Sequence, residues 1–354
     1  LLYRSFTQWV GGLGFAVFII LFLKTMRNGA NNLFNAEFNS IEKEKDSPHI
    51  RNTVYKIFTI YSLLTLFCFL LLLRGEMNWF EALCHSLSTI STGGFSVSNG
   101  NIGSYSIYSQ YVIILFMFLS GISYFLFIFA FKGKWKRLFK DEQLKFYVFL
   151  IFFFAFFIFF FELFFKNYDF FSAIRISLFY VVSIVSSTGF DLQVNSLGML
   201  PTIIFIFLMF IGGCSASSST GLKIVRALVL IRYIPVSLKR IFHPRAIIPV
   251  RYNGKALRDE SVRLIFGFFF LFLLIFLAGA FSFSVMGNGF IVSLSLSAAS
   301  ISNMGPIMGS IAEGFSYGDL NIVSKYILMV LMLIGRLEIY AFFALFSKSV
   351  WGRN

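Results

Sequence analysis

The sequence predicts an all-α polytopic membrane protein made of repeated helix–pore-loop–helix units, pseudo-fourfold around one pore, with the first unit incomplete. Three observations predict it. Of 354 residues, 58% are apolar and 13% charged, against about half and a quarter in a soluble domain. The apolar excess falls in runs near span length, such as 146–165 and 264–281. Between the long runs lie short mixed stretches that end in small turns: Ser91-Thr92-Gly93-Gly94-Phe95, Ser187-Thr188-Gly189-Phe190 and Asn303-Met304-Gly305-Pro306. Each stretch is too short to cross a hydrocarbon layer of about 30 Å. Irregular backbone at that depth persists only where protein buries it or where it lines a watery cavity.

Taken in order, crossing segments are expected near 5–23, 53–73, 109–131, 145–165, 200–234, 263–286 and 323–347, with short re-entrant helices near 78–91, 170–187 and 288–303. After residue 50 the order is helix, short helix with turn, helix, given three times. The turn glycines Gly93, Gly189 and Gly305 are spaced by 96 and 116 residues, and a long period with one hairpin per unit implies units closing around an axis. The first run looks like the closing helix of a unit whose opening helix and turn are missing. Because the chain also opens on Leu1, an N-terminal truncation is expected. The expected division is an inner helix of repeat one plus cytoplasmic linker over 1–50, repeat two over 51–143, repeat three with a broken inner helix and basic linker over 144–262, and repeat four over 263–354.

The run 200–234 is interrupted by ten successive small residues, Gly212-Gly213-Cys214-Ser215-Ala216-Ser217-Ser218-Ser219-Thr220-Gly221. Glycine and serine are poor helix formers. The expected structure is a flexible loop at the cytoplasmic side of the pore; a close-packed helix crossing is the alternative.

Charge position sets the topology. Net charge is +14, and ten Lys and Arg lie between Lys223 and Arg263. The opposite loops, near 96–108, 191–199 and 310–322, carry none. This positive-inside asymmetry places the basic stretches, and the C-terminus, in the cytoplasm. Anionic lipid headgroups account for most of the charge, and no nucleic-acid partner is expected. A cytosolic protein docking on 235–262 is a further possibility. Cys68, Cys84 and Cys214, like His49, His85 and His243, are scattered without metal-ligand spacing. Neither a metal centre nor an organic cofactor is expected, and no convergence of acids, histidines or nucleophiles points to an enzyme.

The turns carry the chemistry. A monovalent cation of potassium size must shed part of its water shell, and rings of backbone carbonyls replace it when several segments present them together. Glycine permits the dihedrals that aim carbonyls at an axis. The candidate ion-binding residues are therefore Ser91, Thr92, Gly93, Ser187, Thr188, Gly189, Asn303, Met304 and Gly305. Short helices aimed C-terminus first favour a cation there. Phe95 and Phe190 are expected to pack behind the turns, and Asp191 either concentrates cations outside or is a solvated loop carboxylate. Arg336, in an apolar span, is rare and expensive there. It either projects into the pore and opposes cations or is a structural or snorkelling arginine. Glu338 is two residues on and shares no helix face with it. Arg4 and Arg175 are expected at the interface, and Glu162 as a structural acid.

These residues resemble those of the membrane subunit of bacterial Trk-type potassium uptake systems (TrkH-type), in the superfamily of Ktr and plant HKT transporters. The likeness covers nearly the whole chain. Arg4-Ser5-Phe6-Thr7-Gln8-Trp9-Val10-Gly11-Gly12 is similar to the start of the first repeat's inner helix, and Gly212-Gly213-Cys214 through Gly221-Leu222-Lys223 to the family's intramembrane gating loop. Leu238-Lys239-Arg240 with His243-Pro244-Arg245 resembles its cytoplasmic linker. Asn303-Met304-Gly305-Pro306 and Gly335-Arg336-Leu337-Glu338 resemble its fourth filter and pore arginine. The resemblance implies potassium uptake across the bacterial plasma (inner) membrane, a filter of turn carbonyls, and a gate comprising Gly212, Gly213, Ser217, Ser218, Thr220, Gly221 and Arg336. It also implies a homodimer among membrane lipids and a cytosolic nucleotide-binding regulatory ring (TrkA-like). Departures are the absent first filter, the serine-rich gating loop, and Asp191 where a small or hydroxyl residue is usual. A sodium or ammonium transporter of the same build, or a non-conducting accessory subunit, are the competing expectations.

Overall fold

The computed structural model describes residues 1–13, 50–98, 101–192, 198–243, 245–246, 248–304, 317–337, 339–344 and 346. Gly305, Pro306 and Glu338, with most of the first predicted span and its linker, lie outside the described residues.

Three unbroken helices are long and apolar enough to span a bilayer: α2 (Ile50–Leu73), α7 (Glu142–Phe165) and α11 (Asp259–Val285). At about 1.5 Å per residue, their 24, 24 and 27 residues reach about 36–40 Å. Each opens a repeat. Their starts are set by local chemistry. Asp141 Oδ1 accepts the Leu144 N–H at 2.9 Å at the head of α7, and Asp259 with Glu260 complement the N-terminal dipole of α11. On α7, Phe149, Phe152, Phe153, Phe156, Phe157 and Phe160 are exposed, which suits a face turned to lipid rather than water.

Each opening helix folds back into a short one: α3 (Trp79–Ile90), α8 (Phe170–Val185) and α12 (Phe290–Ile301). These are 12, 16 and 12 residues long, too short to cross. They are rich in buried Ser and Thr, several of whose hydroxyls bond back to their own helix, as Thr89 does to the His85 carbonyl at 2.7 Å and Ser177 to Ile174 at 2.9 Å. These hydroxyls are thereby satisfied in a dry interior.

Among the described residues the closing helices of repeats two and three are both broken, although only the second of these breaks is expected from the sequence. The predicted span 109–131 is instead α4 (Ile107–Ser120) and α5 (Tyr124–Phe131), bent by 93°. The span 200–234 is α9 (Met199–Ile211) and α10 (Ile224–Phe242), as its small residues indicated. The span 323–347 stops as α13 (Ile322–Arg336), with α14 (Ile339–Ala344) beyond it.

Packing between repeats follows one rule. The closing helix of one repeat lies on the short helix of the next: α1 (Leu2–Gly12) on α3, α4 on α8, and α9 on α12. The first described helix also meets the last repeat, through a hydrogen bond from the Arg336 guanidinium at the end of its closing helix to the Gly11 carbonyl. The repeats thus form a ring.

At the basic end, α6 (Trp135–Lys140) leads into α7, and the linker after α10 holds a hairpin of β1 (Arg251–Tyr252) and β2 (Lys255–Ala256), a small exception to the all-α expectation. Glu142 ties the hairpin to the ring, accepting from Arg232 Nη1 and from the Asn253 N–H, both at 2.7 Å. The Arg232 and Glu142 side chains are 38% and 28% exposed, so the ion pair contributes at most about 1 kcal/mol. Glu142→Gln should lower the melting temperature of the purified protein only slightly. A collapse of the fold would show that the linker is integral to it.

Candidate pore site

The three short helices end in one backbone motif. At the first residue past each helix, Ser91, Ser186 and Ser302, the N–H bonds four residues back, to Leu87, Val182 and Ala298. At the next, Thr92, Ser187 and Asn303, φ is 55°, 55° and 50°, and the N–H bonds three residues back. At the third, Gly93, Thr188 and Met304, the N–H bonds five residues back, to Ser88, Ser183 and Ala299. The last two bonds with the left-handed residue form a Schellman motif, here built on non-glycine residues that each carry strain of about 1 kcal/mol or more.

This motif corrects the predicted register. Thr92, Ser187 and Asn303 are equivalent, with spacings of 95 and 116 residues. The partner of Gly189 in the second turn is therefore Gly94, not Gly93: Gly94 has φ +69° and Gly189 φ +80°. Gly94 was not among the candidate residues, because Ser-Thr-Gly aligns equally well one position earlier. A β-carbon on Gly94 would collide with the backbone carbonyl of Thr188, so the second and third turns touch main chain to main chain.

The small-residue segment lies beneath these turns. It is not a flexible loop: Gly212 to Ala216 and Ser218 to Thr220 are buried, and its ends are stapled by Leu222 N–H to Phe210 O at 3.1 Å and Ile224 N–H to Gly213 O at 3.0 Å. Small side chains let it pack closely and leave its hydroxyls free to reach the turns. Ser218 Oγ bonds the Ile90 carbonyl at 3.0 Å, and Thr92 Oγ1 donates to the Ser218 carbonyl at 3.1 Å. The Thr220 N–H donates to Ser187 Oγ at 2.8 Å, and Thr220 Oγ1 bonds the Ser302 carbonyl. One loop thus holds the C-terminal ends of all three described short helices.

The break between α4 and α5 explains where the loop sits. The Cys214 N–H bonds the Gly121 carbonyl, and the Tyr124 N–H bonds Ala216 O, both at 2.9 Å. Tyr124 Oη lies 2.5 Å from Ser218 Oγ. Tyr124 therefore belongs to the site, though nothing in its apolar surroundings announced it.

A cavity of about 60 Å³ opens under the loop, lined by Tyr124, Ser217 to Gly221, Lys223, Phe268, Phe272 and Arg336. Arg336 is the last residue of α13, where a positive charge suits the helix dipole, and it faces this space. Lys223, at φ +67°, joins it there, although it was not among the candidate gate residues. Gly335 sits where a β-carbon would strike the Ile301 carbonyl, so glycine is what lets α13 reach the fourth turn.

Other candidates are placed differently from expectation. Asp191 is not a solvated loop carboxylate: it is 4% exposed and accepts the Tyr180 hydroxyl at 2.8 Å. Phe190 is buried behind its turn, whereas Phe95 is only partly covered and lies under the Arg4 guanidinium, 3.5 Å from the ring centre. Arg4 is therefore beside the second turn. Glu162 is buried in α7. Cys68, Cys84 and Cys214 are buried thiols, and no metal-type cluster occurs among the described residues.

The model of the TrkH family, described as cation transport protein, matches residues 1–352. The chain belongs to the TrkH family. It is thus a multi-pass membrane cation transporter and not an enzyme. The Trk system potassium uptake protein TrkH of Halomonas elongata is 32% identical over 356 residues, covering 99% of this chain and 73% of that relative. The Trk system potassium uptake protein TrkG of Escherichia coli K12 is 31% identical over 355 residues, with the same coverage. The crystal structure of the potassium transporter TrkH from Vibrio parahaemolyticus superposes with a TM-score of 0.84 at 30% identity, over 99% of this chain and 72% of that one. The fold expectation of repeated pore-loop units agrees with this TrkH architecture.

Proposed function

We propose that this TrkH-family chain carries potassium ions into the cell across the bacterial plasma membrane, through a filter of turn carbonyls that is closed in this structure by the loop 212–221 and Arg336. The filter residues on this reading are Ser91, Thr92, Gly93 and Gly94, then Ser187, Thr188 and Gly189, then Asn303, Met304 and Gly305. The observation that carries the reading is the convergence of one loop on the ends of all three described short helices. An ion leaving the turns meets main chain and hydroxyls already bonded to one another, and below them two fixed positive charges. A cation about 5 Å from each of Lys223 and Arg336 is repelled by about 3 kcal/mol per charge at an effective dielectric of about 20. Opening then requires the loop to leave the turns and the charges to move or be screened.

On the same reading the chain acts as a homodimer. Its basic linker at 235–262 faces the cytoplasm with the C-terminus, and a TrkA-like nucleotide-binding ring docks there and pulls on α10, which is continuous with the loop. Potassium is the cargo.

Rubidium uptake tests the reading, in cells lacking their own potassium uptake and expressing the complete open reading frame that encodes this chain. Potassium should compete with rubidium and sodium should not. Absence of uptake despite good membrane expression would overturn the reading, and equal competition by sodium would change the cargo. Arg336→Ala should raise the uptake rate severalfold; a folded variant with unchanged flux would remove the arginine from the barrier.

A further inference from the structure

The backbone register of the turns reveals a second correspondence outside the turns themselves. His85 and Tyr180 are 95 residues apart, and so are Ser96 and Asp191. That is the step relating Thr92 to Ser187, so the four residues occupy two equivalent pairs of positions. Both pairs are joined. His85 Nε2 lies 3.0 Å from Ser96 Oγ, and the Tyr180 hydroxyl donates to Asp191 Oδ1 at 2.8 Å. In the first pair His85 Nδ1 is 2.8 Å from the Glu81 carbonyl. Nδ1 must therefore carry the proton, which makes Nε2 the acceptor for the Ser96 hydroxyl. Two unrelated chemistries, imidazole with hydroxyl and phenol with carboxylate, make the same bond at the same place.

Each bond is a chord. One end is fixed in the middle of a short helix; the other lies just beyond the turn, two residues past Gly94 or Gly189. Drawing the ends together sets how tightly the intervening turn is curved. His85 and Tyr180 are fully buried, where polar groups pair because leaving one unpaired costs about 1–3 kcal/mol. The chords also meet: the Phe190 ring lies 6.2 Å from the His85 ring, and the Ile102 N–H donates to the Asp191 carbonyl at 3.1 Å. The fourth repeat has Leu296 at the position of Tyr180, 116 residues on. Buried and apolar, it cannot form such a bond.

We infer that Tyr180 with Asp191, and His85 with Ser96, are positioning residues for ion selectivity: side-chain struts that hold the second and third turns at the width a potassium ion fits. The inference rests on the turns being the filter, and it adds which residues outside them determine discrimination. A smaller cation such as sodium needs a tighter cage. Releasing a strut lets the turn relax, so the expected consequence is lost discrimination rather than lost flux.

The test compares Tyr180→Phe, Asp191→Asn and Asp191→Leu in rubidium uptake, with sodium as competitor. Tyr180→Phe and Asp191→Leu, which abolish the bond, should each lower rubidium-over-sodium preference at least fivefold. Asp191→Asn keeps an amide oxygen for the tyrosine hydroxyl and should retain preference within about twofold of the parent. A purely structural role predicts instead that melting temperature and membrane yield fall while preference stays constant. That outcome in Tyr180→Phe, or equal loss in Asp191→Asn and Asp191→Leu, would overturn the inference. If the parent protein takes up rubidium selectively and the variants match it, the strut alone fails. If the parent shows no uptake, the filter reading itself fails and takes the strut's role with it.

Discussion

Gly94→Ala should reduce rubidium uptake more than tenfold, whereas Gly93→Ala, one residue earlier, should leave most of it. Gly94 has φ +69°, a left-handed conformation that costs alanine about 1 kcal/mol. Its added methyl would also run into the Thr188 carbonyl, which is backbone of the neighbouring turn and has no rotamer to escape into. Relief requires both turns to move. A methyl on Gly93 would meet the end of the Gln8 side chain, Oε1 at 2.5 Å and Cδ at 2.9 Å, which can swing aside. Uptake measured per molecule in the membrane separates the two variants. Equal losses, or a larger loss at Gly93, would contradict the register assigned from the backbone.

Loosening the loop should do the opposite. The double substitution Ser218→Ala with Thr220→Val removes the hydroxyls that reach the Ile90 and Ser302 carbonyls. Those carbonyls stay buried without these partners only while the loop is closed, so the penalty falls on the closed state. At about 1 kcal/mol per bond, two bonds shift a closed-to-open equilibrium by up to about thirtyfold, since about 1.4 kcal/mol is a factor of ten. Uptake should rise accordingly wherever the open state is scarce. Unchanged or lower flux from a well-folded variant would mean that the loop is not the barrier.

Much of this architecture is legible in the sequence, and what is not has identifiable causes. The opening helices announce themselves by length and by phenylalanine, and the short helices by their serine content and truncated lead-ins. The ten small residues at 212–221 mark their break because nothing large is available to continue a helix. The break at Gly121 is silent. Only Ser120-Gly121-Ile122-Ser123 separates the apolar runs on either side, so short a Ser/Gly stretch is tolerated in a membrane helix, and the groups that hold it open, the Cys214 N–H and the Ala216 carbonyl, are about ninety residues further along the chain. The second turn offers two glycines in succession, and only the φ values and the five-residue hydrogen bond decide between them. Asp191 reads as an outside charge because its partner Tyr180 stands back within the short helix, on the far side of the turn, and no helical spacing pairs the two.

The rule that each closing helix lies on the next repeat's short helix bears on how the protein is made. In every case the supporting helix precedes the helix it supports: α1 comes before α3, α4 before α8, α9 before α12. As the chain leaves the ribosome, the seat is already in the membrane when its occupant arrives. A re-entrant segment, unable to anchor itself by spanning, is thereby caught by a surface synthesised moments before. The order of the chain itself chaperones the ring.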